Sequence, residues 1–299
     1  MSHRFNKSEL ALTDIDLQVP NGSIFGFLGK NGAGKSTTIK LLLGLLKQQS
    51  GTIRIFDQPL ESNRIAILRN LGSLVEAPSF YNHLSAWENL RILQLLYQCP
   101  RQRIDEVLDI VGLSESKHKR VGQFSLGMKQ RLNIGFSILH QPKLLILDEP
   151  TNGLDPKGIL EIRQLLKRIN AEEGTTIFIS SHLLAEIEKL VDHVAVIDQG
   201  KLRFQGTLET MKAKQTANSS WRLTSNAPQL TRQLLQARSL THSTSGNTHT
   251  IESATKETMA RIVQEMVEQQ IDVYQVTQED QNLESIFLSL TKSYTDDDF

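Results

Sequence analysis

The sequence predicts an α/β fold in which a parallel sheet is covered by helices, followed by a smaller α+β domain. Two observations carry this prediction. Short apolar runs alternate with helical segments over residues 14–197, an alternation typical of a parallel sheet. After about residue 211 the composition shifts: residues 214–220 are polar and are predicted to be a linker, and a second pattern of strands and helices follows.

The first domain is expected to span residues 1–212. Its strands are predicted at residues 14–19, 23–28, 51–56, 71–76, 144–147, 175–180 and 194–197. Residues 37–46, 156–170 and 183–190 read as helices between them. From Pro78 to Pro142 apolar residues recur at helical spacing, and this pattern predicts a helical subdomain at about residues 79–141.

Residues 213–299 are expected to form the accessory domain. The pattern predicts a strand at residues 221–224, a helix at 229–236 and a hairpin that turns at 245–247. It then predicts a helix at 256–269, a strand at 271–277 and a last helix at 283–290. Two βαβ-like halves of this kind indicate a small α+β domain. No chemistry can be assigned to it from its residues.

Charge and cysteine content limit the function classes. Lysine plus arginine and aspartate plus glutamate each number 33, so the basic excess typical of nucleic-acid binding is absent. The single cysteine, Cys99, allows no intrachain disulfide and favours a reducing compartment. The leucine-rich run at residues 41–46 is far shorter than the ~20 apolar residues of a membrane span. We therefore expect a cytoplasmic protein that reaches a membrane only through a partner.

A glycine-rich loop at residues 29–36 predicts a phosphate site. Its sequence, GKNGAGKS, fits the pattern G-x-x-x-x-G-K-[ST] between a strand and a helix. Glycines let backbone N–H groups turn toward phosphate oxygens, and the helix N-terminus adds positive potential. Lys35 is expected to reach the β- and γ-phosphates of ATP, and Ser36 to bind Mg²⁺. The remaining residues expected around the nucleotide are Gly29, Asn31, Gly32, Ala33, Gly34 and Thr37.

A second site is predicted where the apolar run at residues 144–147 ends in Asp148 and Glu149. Carboxylates beside a core need partners. Asp148 is expected to help hold Mg²⁺, and Glu149 to polarise the attacking water. Two acids that merely cap a turn are an alternative, but the phosphate loop elsewhere in the chain disfavours it.

Three further segments carry a resemblance to a known family. They are FSLGMKQR at residues 124–131, PTNGLD at residues 150–155 and SSH at residues 180–182. With the phosphate loop, they resemble the ABC ATPases in order and spacing, over roughly residues 5–211. Their spellings are similar to ATP-binding subunits of bacitracin- and lantibiotic-type exporters. The fold implied is a P-loop NTPase core of the ABC type.

The resemblance implies roles for individual residues. Ser125 and Gly127 would bind the γ-phosphate of ATP held by the other copy in a homodimer. Asp155 would bridge that dimer interface, and His182 would contact the γ-phosphate. Phe5 stands where family members carry an aromatic that stacks on adenine.

The chain also departs from the family pattern. Leu126 replaces the first glycine of the usual L-S-G-G-Q motif and Met128 its glutamine, whereas the serine and the second glycine remain. Glu76 stands where the family usually has glutamine. A glutamate there would bring full negative charge to the metal site, which tightens Mg²⁺ but repels ATP. The alternative is that Glu76 faces solvent.

The resemblance thus implies an ATP-hydrolysing subunit that powers a separate transmembrane permease. Two alternatives stay open: a soluble ABC ATPase that acts in DNA repair or on the ribosome, and a non-hydrolysing regulatory subunit. DNA-repair members carry a long coiled-coil insertion, but only about ninety residues without sustained heptads separate the two motifs here. Members that act on the ribosome usually carry two ATPase domains per chain, whereas this sequence shows the motifs of one. A non-hydrolysing regulatory subunit is disfavoured because the residues expected for hydrolysis are all present, namely Lys35, Ser36, Asp148, Glu149 and His182.

Overall fold

The computed structural model describes residues 1–6, 9–75, 80–216, 220–252, 254–279 and 287. The chain divides into two compact units, Met1–Leu208 and Glu209–Phe299. In the described residues, no helix combines the length and the apolar character that crossing a bilayer would require.

The elements of the first unit follow the alternation expected from the sequence. Its strands are β1 (His3–Asn6), β2 (Glu9–Leu12), β3 (Ile24–Leu28), β4 (Arg54–Ile55), β5 (Gln58–Pro59), β6 (Leu71–Leu74), β7 (Leu144–Asp148), β8 (Thr176–Ser181), β9 (His193–Asp198) and β10 (Lys201–Thr207). Its helices are α1 (Lys35–Leu42), α2 (Leu60–Leu68), α3 (Ala86–Tyr97), α4 (Gln102–Ile110), α5 (Leu126–Ile138), α6 (Pro156–Glu173) and α7 (Leu184–Ile187), and α8 (Leu208–Thr216) crosses the boundary between the units.

A six-stranded sheet in the order β10-β9-β3-β8-β7-β6 forms the centre of this unit. The five strands from β9 to β6 run parallel, and β10 pairs antiparallel at the edge. Phe25, Phe27 and Phe178 are buried. The ring centroid of Phe178 lies 5.7 Å from that of Phe25 and 5.4 Å from that of Phe27. Burying such aromatic surface stabilises the junction of β3 and β8.

Because β9, β3, β8, β7 and β6 run parallel, all five strands end at one edge of the sheet, where open α/β sheets bind ligands.

Local sequence signals fix where the helices begin. Ser85 and Glu88 form a capping box at the start of α3. Asp155 caps α6 by accepting a hydrogen bond from the Gly158 N–H, and a proline occupies the first helical position. These side chains satisfy N–H groups that have no partner inside the helix. The helical region predicted at about residues 79–141 corresponds to α3, α4 and α5.

The structure corrects two strand predictions near the N-terminus. Residues 14–19 form no strand: among the described residues their backbone-to-backbone hydrogen bonds are those that Ile15 exchanges with Met1, and the N–H groups of Asp14 and Gln18 donate to side chains instead. The strand predicted at residues 51–56 shrinks to β4, which pairs with β5. Helix α2 and strand β10 were not predicted. Alternation of apolar side chains shows which face is buried, but a strand also needs a neighbouring ladder.

The second unit has the predicted α+β character. Its elements are β11 (Ser220–Ser225), α9 (Pro228–Ala237), β12 (His242–Ser245), β13 (Thr248–Glu252), α10 (Lys256–Glu268) and β14 (Val273–Glu279). The strands form an antiparallel sheet in the order β12-β13-β11-β14. This βαββαβ arrangement is the split βαβ motif. Its core contains Trp221, Leu223, Ile251 and Met266 among other buried residues.

The ends of this unit differ from the sequence reading or lie beyond it. The polar stretch at residues 214–220 was expected to be a linker, but α8 continues through Thr216. The last helix predicted, residues 283–290, lies outside the described residues except for Phe287, which is helical and buried.

Candidate functional site

The phosphate loop connects β3 to α1 at the edge where the parallel strands end. Gly29 must be glycine, because a Cβ there would lie 2.7 Å from the Ile197 carbonyl oxygen. Gly34 has φ of +111°, and its Cβ would lie 2.7 Å from Leu12 Cδ2. Gly32 has φ of +81° and faces open space. The glycines thus allow a close approach to β9 and a backbone that other residues rarely adopt.

Lys35 begins α1, and its side chain is turned into the loop. The residue is 6% exposed, and its ammonium donates to the Gly29 carbonyl oxygen at 2.7 Å. The Lys30 carbonyl oxygen accepts at 3.4 Å. A buried ammonium needs such partners. Lys35 is therefore held by the loop carbonyls, and its contact with phosphate stays a prediction. Asn31 and Ser36 are exposed, Thr37 is half-buried and Ala33 is buried.

Asp148 and Glu149 are adjacent in the sequence, but their carboxylates contact different partners. Asp148 is the last residue of β7 and accepts a hydrogen bond from the Ser180 hydroxyl at 2.5 Å. Glu149 follows with φ of +49°, in the left-handed region. Such backbone conformations cost roughly 1–3 kcal/mol and cluster at functional sites. The turn ends the strand and allows the two carboxylates to face different partners.

Glu149 joins the phosphate loop to the end of β8. Its Oε1 lies 3.2 Å from Lys35 Nζ, and its Oε2 lies 2.7 Å from His182 Nδ1. A carboxylate only accepts hydrogen bonds, so Nδ1 carries the proton in this contact. The Lys35, Glu149 and His182 side chains are 6, 20 and 33% exposed. The three predicted residues therefore form one contact chain that is partly open to solvent.

The donor set for a metal ion is made of oxygen atoms. Ser36 presents an exposed hydroxyl at the start of α1, and Asp148 presents a carboxylate at the end of β7. Magnesium prefers oxygen ligands of this kind together with substrate phosphates. Within the described residues, no group of three or more His, Cys, Asp or Glu side chains is placed to hold a metal. The residues present fit Mg²⁺ held jointly with phosphate.

The predicted trans-acting residues stand at the exposed start of α5. Ser125 caps this helix, and its hydroxyl accepts from the Met128 N–H at 3.3 Å. Gly127 occupies the first turn, where an added Cβ would meet nothing within 4 Å. Asp155 is exposed and caps α6. The contacts of Ser125 and Asp155 therefore give each a local structural role, and their role in a dimer stays a prediction.

The structure does not describe the side chains of two predicted residues. The backbone of Phe5 belongs to β1, but its side chain is not described. Glu76 follows β6 and lies outside the described residues. Adenine stacking by Phe5 and metal sensing by Glu76 therefore remain predictions.

Two contacts of the site were not predicted. Ser180 bonds both Asp148 and the Glu149 N–H, and Gln130 of α5 donates to the Pro150 carbonyl oxygen at 2.7 Å. The parallel pairing of two strands that end in DE and SSH is the signal that could have indicated the first contact. The Gln130 contact depends on how α5 packs, which the sequence does not specify.

Comparison with known proteins decides the family. A family model described as ABC transporter matches residues 12–152. An uncharacterized ABC transporter ATP-binding protein of Bacillus subtilis, YhcH, is 37% identical over 94% of this chain and 90% of its own length. The chain belongs to the ABC transporter family of ATP-binding proteins. The predicted family and its P-loop fold are thereby confirmed.

The predicted subgroup is confirmed as well. The bacitracin transport ATP-binding protein BcrA of Bacillus licheniformis is 55% identical over 196 residues, which are 65% of this chain and 64% of BcrA. The lantibiotic transport ATP-binding protein SrtF of Streptococcus pyogenes is 45% identical over 64% of this chain and 82% of SrtF. A solved ATP-binding subunit of an ABC transporter, 32% identical, covers 71% of this chain with a TM-score of 0.62 and is itself covered to 90%. The matches thus show an ATP-binding protein of the ABC transporter family, and the aligned part spans less than two thirds of the length of BcrA.

Proposed function

We propose that this ABC ATPase hydrolyses ATP and thereby powers a separate transmembrane permease that exports peptide antibiotics. The observation that carries the hydrolytic part is the contact chain from Lys35 through Glu149 to His182, with distances of 3.2 and 2.7 Å. It places a cation, a carboxylate and an imidazole at the end of a glycine-rich loop. In P-loop NTPases a lysine binds phosphate oxygens and a hydrogen-bond acceptor orients the attacking water, and Lys35 and Glu149 can take these two roles.

Each side chain takes one role in this proposal. Lys35 and the loop N–H groups donate to the phosphates, and Glu149 accepts a hydrogen bond from the attacking water. His182 donates to the γ-phosphate through Nε2; if it keeps its Nδ1 contact with Glu149, it must then be an imidazolium. Ser36 and Asp148 would hold Mg²⁺, which would neutralise phosphate charge.

The second part of the proposal is that two copies share each ATP. Ser125 and Gly127 stand exposed or half-exposed at the start of α5, and nothing within 4 Å would obstruct a ligand at the Gly127 Cβ position. The positive end of a 13-residue helix suits an anionic phosphate. The phosphate loop of one copy and the start of α5 of the other would therefore enclose the nucleotide.

The cargo is inferred from relatives. BcrA and SrtF carry names that state bacitracin and lantibiotic transport, and they share 55% and 45% identity with the aligned parts of this chain. We infer a peptide-antibiotic cargo, a permease that selects it, and a position of this subunit on the cytoplasmic face of the membrane. In the host, Lys35→Ala is expected to lower the minimal inhibitory concentration of the exported peptide to that of a deletion strain; an unchanged value for bacitracin and lantibiotics would contradict this cargo.

Glu149→Gln tests the hydrolytic and dimeric parts together. The amide keeps the shape of Glu149 but accepts a hydrogen bond from water less well, so ATP should persist and hold two copies together. Light scattering after size exclusion with ATP and Mg²⁺ should show a dimer for Glu149→Gln. The matched control, Lys35→Ala combined with Glu149→Gln, should remain monomeric. A monomeric Glu149→Gln variant that hydrolyses ATP at the wild-type rate would refute the role of Glu149.

A further inference from the structure

Ser180 stands between the two acidic residues of the site. It lies in β8, where its Cα pairs in parallel register with that of Asp148 in β7. The residue is completely buried, with 0% of its surface exposed. A buried hydroxyl must find hydrogen-bond partners within the protein. Both partners of Ser180 belong to the candidate site.

The hydroxyl of Ser180 uses its donor and its acceptor capacity at once. Its Oγ donates to Asp148 Oδ1 at 2.5 Å and accepts from the Glu149 N–H at 3.0 Å. A hydroxyl has one proton and two lone pairs, so the two bonds are compatible. The short distance to Asp148 is typical of a hydrogen bond to an ionised carboxylate. One side chain therefore fixes the carboxylate of one acid and the backbone of the next.

The backbone of Glu149 is the part that needs such support. Its φ of +49° turns the chain out of the strand, and its side chain then meets Lys35 at 3.2 Å and His182 at 2.7 Å. A left-handed residue persists only where its surroundings hold it. The Ser180 hydroxyl and the Ser180 carbonyl oxygen, at 3.3 Å, both accept from the Glu149 N–H. Removal of the hydroxyl would leave the weaker carbonyl contact.

We propose that Ser180 is a positioning residue that sets Asp148 for Mg²⁺ and Glu149 for water through one shared hydroxyl. The proposal rests on the proposed ATP hydrolysis. Its chemical consequence is that one substitution disturbs metal binding and water activation together. Because Ser180 is fully buried, it would act only through these two residues.

Ser180→Ala, Ser180→Thr and Ser181→Ala test the proposal. Ser181 is the matched control, because it is also a buried serine of β8, 1% exposed, but its hydroxyl accepts from the Leu183 N–H at 2.9 Å. Each variant is measured in three ways: steady-state ATPase rates, the affinity for Mn²⁺ in the presence of ATP by electron paramagnetic resonance, and thermal melting. Mn²⁺ stands in for Mg²⁺ and gives a readout that does not depend on turnover.

For Ser180→Ala we expect kcat and Mn²⁺ affinity to fall about 10- to 100-fold, the effect typical of losing a partner of a metal ligand. The KM for ATP should change little, because Lys35 and the loop are untouched. Ser180→Thr keeps the hydroxyl and should restore much of both quantities, whereas Ser181→Ala should match the wild type. If Ser180→Ala melts too low to be assayed, the threonine and control variants still carry the comparison.

Three results would overturn the inference. They are a Ser180→Ala variant with wild-type kcat and Mn²⁺ affinity, equal losses in Ser180→Ala and Ser181→Ala, or a folded Ser180→Thr variant without recovery. A wild-type chain that is no more active than Lys35→Ala would instead contradict the proposed hydrolysis. In that case the Mn²⁺ affinities would still decide the role of Ser180.

Discussion

Gly127→Ala should separate the stability of this protein from its function. Gly127 lies in the first turn of α5, and an added Cβ meets no heavy atom within 4 Å. Alanine in a helix is favoured over glycine by roughly 0.5–1 kcal/mol. For a unit of this size we expect the melting temperature without nucleotide to rise by roughly 1–4 °C.

The same methyl group should harm catalysis. In the proposed dimer the backbone at Gly127 approaches the γ-phosphate bound by the other copy, and a Cβ would occupy that space. We expect ATPase activity to fall at least about tenfold, equivalent to ~1.4 kcal/mol of transition-state stabilisation. Thermal melts and ATPase rates on the same preparations would measure both effects.

Gly135→Ala is the contrasting variant in the same helix. Its Cβ would lie 3.1 Å from Val107 Cγ1 and 3.4 Å from Val111 Cγ1. Crowding of this kind costs about 1–3 kcal/mol in a packed core, so the melting temperature should fall. Full ATPase activity in Gly127→Ala would refute the role of Gly127 at a shared site. A lowered melting temperature in Gly127→Ala would refute the conclusion that its surroundings are open.

Two further predictions follow from single contacts. Gly29→Ala should destabilise the fold by about 1–3 kcal/mol, because its Cβ would press against the Ile197 carbonyl oxygen at 2.7 Å; a melting temperature equal to that of the wild type would contradict this close approach. Burial lowers the pKa of His249, with smaller contributions from the charges of His242 and Arg232, so His249 is held neutral in the fold and the unfolded chain binds more protons near its ordinary pKa. Stability should therefore fall as pH drops below about 6.5, and His249→Gln should flatten that slope in thermal melts between pH 5 and 7.5; an unchanged slope would show that His249 does not cause it.

The sequence predicted the phosphate loop well because its chemistry is local. Glycine spacing, a preceding apolar strand and a following helix sufficed to predict a loop between two regular elements, and the structure has β3 before it and α1 after it. The acidic pair was equally accessible, since Asp148 and Glu149 end an apolar run. Their convergence with His182 followed from parallel strands that end at one edge of the sheet.

The register between strands and the packing of the elements could not be predicted from the sequence. The hydrogen bonds of Ser180 depend on its alignment opposite Asp148, and a shift of one residue would have turned its side chain to the other face. The strand predicted at residues 14–19 failed for a related reason, because its backbone forms no ladder with any strand in the described part of the chain. Helix α2 was missed because its apolar residues do not form a stripe on one face: Leu60 and Ile67 are buried, whereas Ile65 is exposed.

The central claim is that two copies share each nucleotide, and the dependence of ATPase activity on protein concentration tests it most directly. Wild type and Lys35→Ala would be assayed side by side over a wide concentration range with saturating ATP and Mg²⁺. The account predicts that the wild-type rate per molecule rises with concentration to a plateau, while Lys35→Ala stays at background. A rate per molecule that is constant at every concentration, or activity that survives in Lys35→Ala, would contradict the shared site.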